Sequence, residues 1–348
     1  MRMQPRGRQL RLWMSGLGFA ACEAPPVEPT PVCLVGGLCT PGFSQVYEGR
    51  IGALVSVVVD EVADTALVVG GPMGNTPGAL VLTLSGGVFS EVPTSLPVTP
   101  WWITSGDAGL ALVGERGLIA TADGPTFTQR ALDAPRTTLF GVAALDGDRL
   151  IAVGGDVGPG GERDVILRGS AEGGFERVLV PDPKGIVFFK VFARSSDDVW
   201  ICGQSGWVLN MRGDRSDWYR VDPPIPLFTI TGDADELYVV GGPTAGLFRF
   251  DAGEQGFVAE ALPTQDASQL TGVDLAENGD LWVVGMAGIK WRRRADQWTD
   301  FSNEVPHSDL HAVAATSKGA IVVGGAFVNP PQPGAPRKGV VGVYVEPL

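Results

Sequence analysis

Histidine is almost absent from this chain of 348 residues, which has two, His307 and His311, beside four cysteines and four tyrosines. So few imidazoles and thiols leave little from which to build a zinc site, which gathers its ligands from neighbouring Cys and His. The pair in "VPHSDLHAV" has the spacing of a helical metal pair, but the segment reads as a loop entering a strand, and Asp309 between them does not complete a ligand set. No metal and no cofactor is expected. Also missing are a G-x-S-x-G nucleophile elbow and a G-x-x-x-x-G-K phosphate loop. Long runs of Ala, Glu, Lys and Leu are lacking, which removes the usual material of long helices. Basic residues are outnumbered, 26 Lys and Arg against 39 Asp and Glu, for a formal net charge of −13. Such a surface repels phosphate backbones and anionic headgroups, so nucleic acid is not an expected partner.

What is present is glycine, 49 residues of it, in a repeating pattern. An apolar strand closing on Val-Gly or a near equivalent recurs seven times: "ALVVGG", "LALVGE", "LIAVGG", "VWICGQ", "LYVVGG", "LWVVGM" and "AIVVGG". Their glycines are Gly70, Gly114, Gly154, Gly203, Gly241, Gly285 and Gly324, spaced by 44, 40, 49, 38, 44 and 39 residues. That period is the length of one four-stranded propeller blade. Before each copy lies another strand, as in "LFGVAAL", "FFKVFA", "LTGVDLA" and "LHAVAAT", joined to it by an acidic or glycine-containing turn such as "DGDR" or "ENGD". A third and a fourth strand follow, the fourth aromatic near its start. The expectation is an all-β, seven-bladed β-propeller of four-stranded antiparallel blades over residues 42–348. Glycine is expected at the seven strand ends because it reaches positive φ without steric cost.

The pattern L-x-G-V followed by G-D-L-W-V-V-G-x-x-G-I, fullest at Leu270 to Ile289, resembles the propeller repeat of photosystem II stability and assembly factors and their bacterial relatives. "TADGPTF", residues 121–127, is similar to their Asp-box-like turn, and the Val-Gly-Gly doublets are distantly similar to kelch repeats. The resemblance implies the fold and a scaffolding or assembly role; it transfers no catalytic residue.

The N-terminus resembles a bacterial lipoprotein signal. "MRMQPRGRQLR" is a basic leader, "LWMSGLGFAA" a short apolar stretch, and "FAAC" a cleavage site at which Cys22 would carry the lipid. Residues 1–21 are then the signal peptide and 22–41 a proline-rich tether, with Cys33 and Cys39 expected to close a small disulfide loop in an oxidising compartment. Cys202, in "VWICG", reads as a core thiol, and the run "KWRRR" at 290–294 as a solvated strand edge.

The last repeat lacks a fourth strand, whereas the opening stretch "GFSQVYEG", residues 42–49, carries the fourth-strand pattern. It should pair antiparallel with residues 339–345 as the outer strand of the last blade and close the ring. Loops between blades share one face with those joining second to third strands, the longest lying in blades 1, 3 and 7. On that face "TPWW" and "GIVFFK" place Trp101, Trp102, Phe188 and Phe189, and adjacent strand residues point to opposite sides, so one of each doublet should pack between blades. With Arg50 and His311 near the entrances of blades 1 and 7, these form the candidate binding funnel.

No catalytic residue is assigned. Sialidases share Asp-box propellers, but their arginine triad and Tyr/Glu pair find no counterpart motif here. The expected function is a non-catalytic, lipid-anchored interaction or assembly scaffold, monomeric, exported to the bacterial envelope, which binds a protein or glycan partner on the loop face and meets membrane only through its anchor. The alternatives are a glycan hydrolase or lyase with a central-channel site, and a structural surface lipoprotein with no specific ligand.

Overall fold

The computed structural model describes residues 33–49, 52–72, 78–122, 126–130, 136–264, 266–326 and 338–347. The signal stretch with Cys22, Arg50, Asp123 of the Asp-box-like turn, and much of the long loops of blades 1 and 7 lie outside them.

Seven four-stranded antiparallel sheets follow one another along the chain. The first strand of each is Ala53–Asp60, Pro100–Gly106, Thr138–Ala144, Phe188–Ser195, Leu227–Gly232, Leu270–Leu275 and Leu310–Thr316 for blades 1 to 7. These strands touch one another in succession, the first against the last as well, so they line a central channel. The second strands are apolar on both sides because both faces are covered by adjacent blades: Leu237–Gly241 and Leu281–Gly285 are buried throughout.

The ring closes between the two ends of the chain. Gly42–Glu48 pairs antiparallel with Gly339–Val345, in the register Gly42 with Val345 and Phe43 with Tyr344, and a bulge falls at Val46. The lone opening strand is the outer strand of blade 7. Phe43 secures it: its ring lies 5.2 Å from Tyr344 of its own blade, and 5.3 and 6.0 Å from Phe301 and Trp282 of blade 6. One aromatic side chain therefore ties the closing strand to two blades.

Part of the stretch read as tether is docked on the propeller. Cys33 and Cys39 form a disulfide with Cα atoms 4.2 Å apart. The loop it closes presses Leu34, Val35 and Leu38 onto Leu84 and Phe89 of blade 1, and Gly36 N–H donates to the Asp64 carboxylate at 2.8 Å.

Two expectations are corrected. The seven strand-end glycines are not there for positive φ: Gly114, Gly203 and Gly285 are extended, with φ of −168°, −168° and −163°. Each is instead crowded by the first strand. A Cβ at Gly70, Gly114, Gly154, Gly203, Gly241, Gly285 or Gly324 would stand 1.9–2.4 Å from the carbonyl oxygen of that strand's first residue or of the residue just before it. Nor is "KWRRR" a solvated edge. It is the third strand of blade 6; Lys290 and Trp291 are buried, Lys290 Nζ donates to Gly288 O and Pro306 O at 2.8 Å each, and Arg292 and Arg294 share Glu346 at 2.5 and 2.9 Å. Burial of such cations is tolerated because each finds acceptors.

Two stability outcomes follow from this packing. Phe43→Ala should cost roughly 2–4 kcal/mol, read as a lower urea midpoint, since a large aromatic contact is removed where the two ends of the chain pair to close the ring. Gly154→Ala, whose Cβ would stand 2.1 Å from Thr138 O, should cost about 1–3 kcal/mol or more, whereas Gly256→Ala, with its nearest atom at 3.8 Å, should stay within about 0.5 kcal/mol.

Candidate functional site

The crowding at the strand-end glycines has a counterpart across the ladder. In every blade the first strand slips register directly after the residue that faces the glycine, leaving one residue unpaired. A bulge of this kind bends the strand and re-aims a side chain. The seven bulge residues are Val55, Trp101, Phe140, Phe189, Phe228, Thr271 and His311, and all of them line one cavity of about 510 Å³ at the start of the channel. Its rim is completed by the inter-blade residue Gln269 and by Glu115, Val157 and Met286 from loops joining second to third strands. This is the loop face inferred from the meander.

Four of the bulge residues are aromatic and come from successive blades. Ring centroids step from Trp101 to Phe140 at 5.2 Å, from Phe140 to Phe189 at 5.4 Å, and from Phe189 to Phe228 at 5.6 Å, the first two contacts edge-on. Such geometry suits the ring quadrupoles and yields a continuous aromatic arc over blades 2 to 5. Blades 6, 7 and 1 supply Thr271, His311 and Val55 opposite it.

The residues after the bulges form a second tier, and several of them, together with the bulge residue Thr271, do different work. Neighbouring first strands share no hydrogen-bonded ladder, so their inward backbone groups need other partners. Side chains provide several: Ser56 Oγ accepts from Ile103 N–H at 3.2 Å, Thr229 Oγ1 donates to Thr271 O at 2.6 Å, and Thr271 Oγ1 to Leu310 O at 2.5 Å. Lys190 belongs to the same set. Its Nζ donates to Phe140 O at 2.8 Å and stands 4.1 Å from the centre of the Trp102 ring, having crossed blade 3 at Gly141. A Cβ at Gly141 would lie 2.9 Å from Lys190 Cα. Burial lowers the Lys190 ammonium to about 7, offset slightly by the Cys202 thiol on the adjacent strand; no carboxylate among the described residues contributes. Cys202 itself is buried and pushed up to about 12 by desolvation, which leaves an unreactive thiol.

His311 lies within the first strand of blade 7, not in the loop before it. Its Nε2 is 2.9 Å from Gly325 O; a carbonyl only accepts, so the proton resides on Nε2. Burial lowers its pKa, against smaller opposite effects of that bond and of Asp309. Glu115 at the rim is raised by burial, with the hydrogen bonds from Thr99 pulling it back.

Of the residues singled out from the sequence, Trp101, Phe189 and His311 converge on the cavity. Trp102 lies beneath it, lining a second cavity of about 460 Å³ farther along the channel. Phe188 does not reach either: it is fully buried between blades and stacks on Trp218 at 6.1 Å, so it has no surface to offer a ligand. Phe140, Phe228, Thr271, Val55 and Lys190 were not foreseen. The signal was in the repeat: the bulge residue is the x of L-x-G-V, read across all seven copies.

The second cavity contains Asp274, whose carboxylate accepts from Ala315 N–H at 2.8 Å and Thr231 Oγ1 at 3.1 Å. Burial raises its pKa from 3.8 to about 6, outweighing these hydrogen bonds. The folded chain therefore holds a proton between about pH 4 and 6 that the unfolded chain has lost; this contribution is complete below pH 4 and disappears as pH rises through 6. Asp274→Asn should gain urea stability relative to the native chain as pH goes from 4 to 7, by about 1–3 kcal/mol. A difference independent of pH would refute the assignment.

No family model matches the chain, and no curated protein matches its sequence. Among solved structures, it is similar to YCF48 bound to a D1 peptide, with TM-score 0.64, 14% identity, and coverage of 91% of this chain and 99% of that one. It is similar to YCF48 from Cyanidioschyzon merolae, with TM-score 0.64 and 12% identity over 87% of this chain and 98% of that one. The WD40 β-propeller domain of Doa1 gives TM-score 0.62 and 10% identity over 87% and 97%. At such identities the likeness is one of fold: the chain is a seven-bladed β-propeller built like YCF48 and WD40 propellers.

Proposed function

We propose that this protein is a non-catalytic binding module of the bacterial envelope, exported by its N-terminal signal, tethered through a lipid on Cys22, and holding a protein partner at the mouth of the channel. The observation that carries the reading is the aromatic arc of Trp101, Phe140, Phe189 and Phe228. Large rings held in place by their neighbours offer apolar contact at little cost in side-chain entropy, the usual character of binding hot spots. The structurally similar YCF48 has been solved with a D1 peptide bound, which supports a peptide-binding use of this fold. Among the described residues the channel carries Glu115 and Asp274 in separate cavities, whereas glycoside hydrolysis needs two carboxylates flanking one scissile bond; this favours binding over the hydrolase reading.

Cross-linking in intact envelopes, followed by identification of the captured species, tests the proposal. The native chain should capture a defined protein, and the double variant Trp101→Ala, Phe189→Ala should reduce capture by about 10-fold or more. Equal capture by the variant, or capture of glycan alone, would overturn it. Loss of lipid labelling in Cys22→Ala tests the anchor.

A further inference from the structure

Lys190 is a charged group in the cavity that apolar partner binding does not require. A cation in a channel wall with no carboxylate beside it is costly, and the hydroxyls of Thr229 and Thr271 show that inter-blade bonds of the same kind are made here by neutral groups. The ammonium has three donors; one is committed to Phe140 O and one side of the group lies on the Trp102 ring at 4.1 Å, which leaves a donor for a ligand. It lies at the base of the cavity that the aromatic arc walls on one side.

We propose that the cavity binds a small monocarboxylate with an apolar tail, its carboxylate on the Lys190 ammonium and its tail along the arc from Trp101 to Phe228. The charge count selects this class. A single cation in apolar walls matches one negative charge, whereas a phosphate dianion would leave a charge unpaired and give up more hydration. Glu115 at the rim opposes a second anionic group, and the volume of about 510 Å³ falls within the range of small-molecule sites. The inference rests on the cavity's being a binding site, but it concerns a small ligand at its base, so partner capture at the mouth can succeed or fail independently.

A protonic signature accompanies the binding. Among the described residues, the titratable groups around Lys190 are Cys202 on the neighbouring strand and, lining the same cavity, His311 and Glu115. Cys202 is a neutral thiol, and His311, lowered by burial, is neutral above pH 7. A bound carboxylate restores the charged form of an amine that titrates near 7, so binding at pH 8 should take up about one proton, and at pH 6 almost none.

Calorimetry of the full chain with octanoate, in two buffers of different ionisation enthalpy at pH 8 and pH 6, reads this directly. Octanoate should bind with proton uptake at pH 8, octanol should bind at least 10-fold more weakly, and Lys190→Met should weaken octanoate by roughly 10- to 100-fold and abolish the uptake. A peptide with a free C-terminal Phe, set against its amide, is the second arm: tighter binding than octanoate would assign the carboxylate to a chain end and overturn the small-acid form. Absent octanoate binding, equal binding of octanol, or uptake that survives Lys190→Met would each overturn the proposal. Thermal unfolding guards against misfolding: Lys190→Met should still unfold in one cooperative transition, which keeps the binding comparison valid.

Discussion

The close approach between a glycine and a bulged first strand, repeated in all seven blades, is the constraint from which the rest of the channel follows. Where Gly154 lies against Leu139, and likewise in each other blade, the two strands come closer than a side chain allows. The first strand relieves this by inserting an extra residue, and a bulge rotates the side chain beside it out of the alternation of the sheet. Without the bulge, Phe140 and Phe189 would take the ordinary alternating positions of a strand buried between blades. With it, seven side chains are delivered to one place on the axis. The glycines thus set the aim of the cavity without contributing a single atom to its chemistry.

Because the bulge depends on backbone and glycine alone, the identity of the bulge residue is largely released from the demands of folding. The positions range from Val55 to Trp101 to His311 with the same local register slip. The next tier is less free. Ser56, Lys190 and Thr229 satisfy backbone groups between strands that lack a shared ladder, a task that the bulge residue Thr271 shares. Lys190 satisfies its carbonyl with a charged group where a hydroxyl serves elsewhere, and Gly141 gives up a side chain so that the backbone of blade 4 can approach. Glycine at this position recurs at Gly272, where blade 7 approaches blade 6 in the same way, so the departure directly under the aromatic arc is the buried amine of Lys190 alone. Native proteins depart from local rules of this kind chiefly at functional sites.

The fold was legible because its signals are repeated. One Val-Gly strand end means little, but seven at a blade's spacing determine the class, and the fourth-strand pattern of "GFSQVYEG" sufficed to place it beside Gly339–Val345. The physical role given to the glycines was wrong for an instructive reason. Positive φ and lack of room for a Cβ both select glycine, and composition does not distinguish them; the φ of −168° at Gly114 does. "KWRRR" misled because two of its partners, Glu346 and the carbonyl oxygen of Pro306, lie in other elements that no local window contains. The site was half legible. Aromatic doublets drew notice to Trp101 and Phe189, but strand alternation could not tell Phe188 from Phe189 without the bulge. Phe140 and Phe228 stood alone in their strands, unmarked by any doublet.

Ring closure bears on the site through rigidity. Cavity walls in a propeller are first strands, and each is positioned by the blades on either side of it. A ring joined by sequential blades alone would be open between blades 7 and 1, beside His311 and Val55. The pairing of Gly42–Glu48 with Gly339–Val345 completes blade 7, Phe43 extends that hold to blade 6, and the disulfide loop from Cys33 to Cys39 continues the same segment onto blade 1. Fewer than twenty residues of N-terminal chain thus brace three consecutive blades, 6, 7 and 1. Those are the blades that contribute no ring to the arc, so the weaker-packed side of the cavity is the one reinforced from outside. Where the aromatic arc stiffens blades 2 to 5 from within the channel, the N-terminal strand and its cross-linked loop stiffen the others from the rim, and the cavity is held open by both.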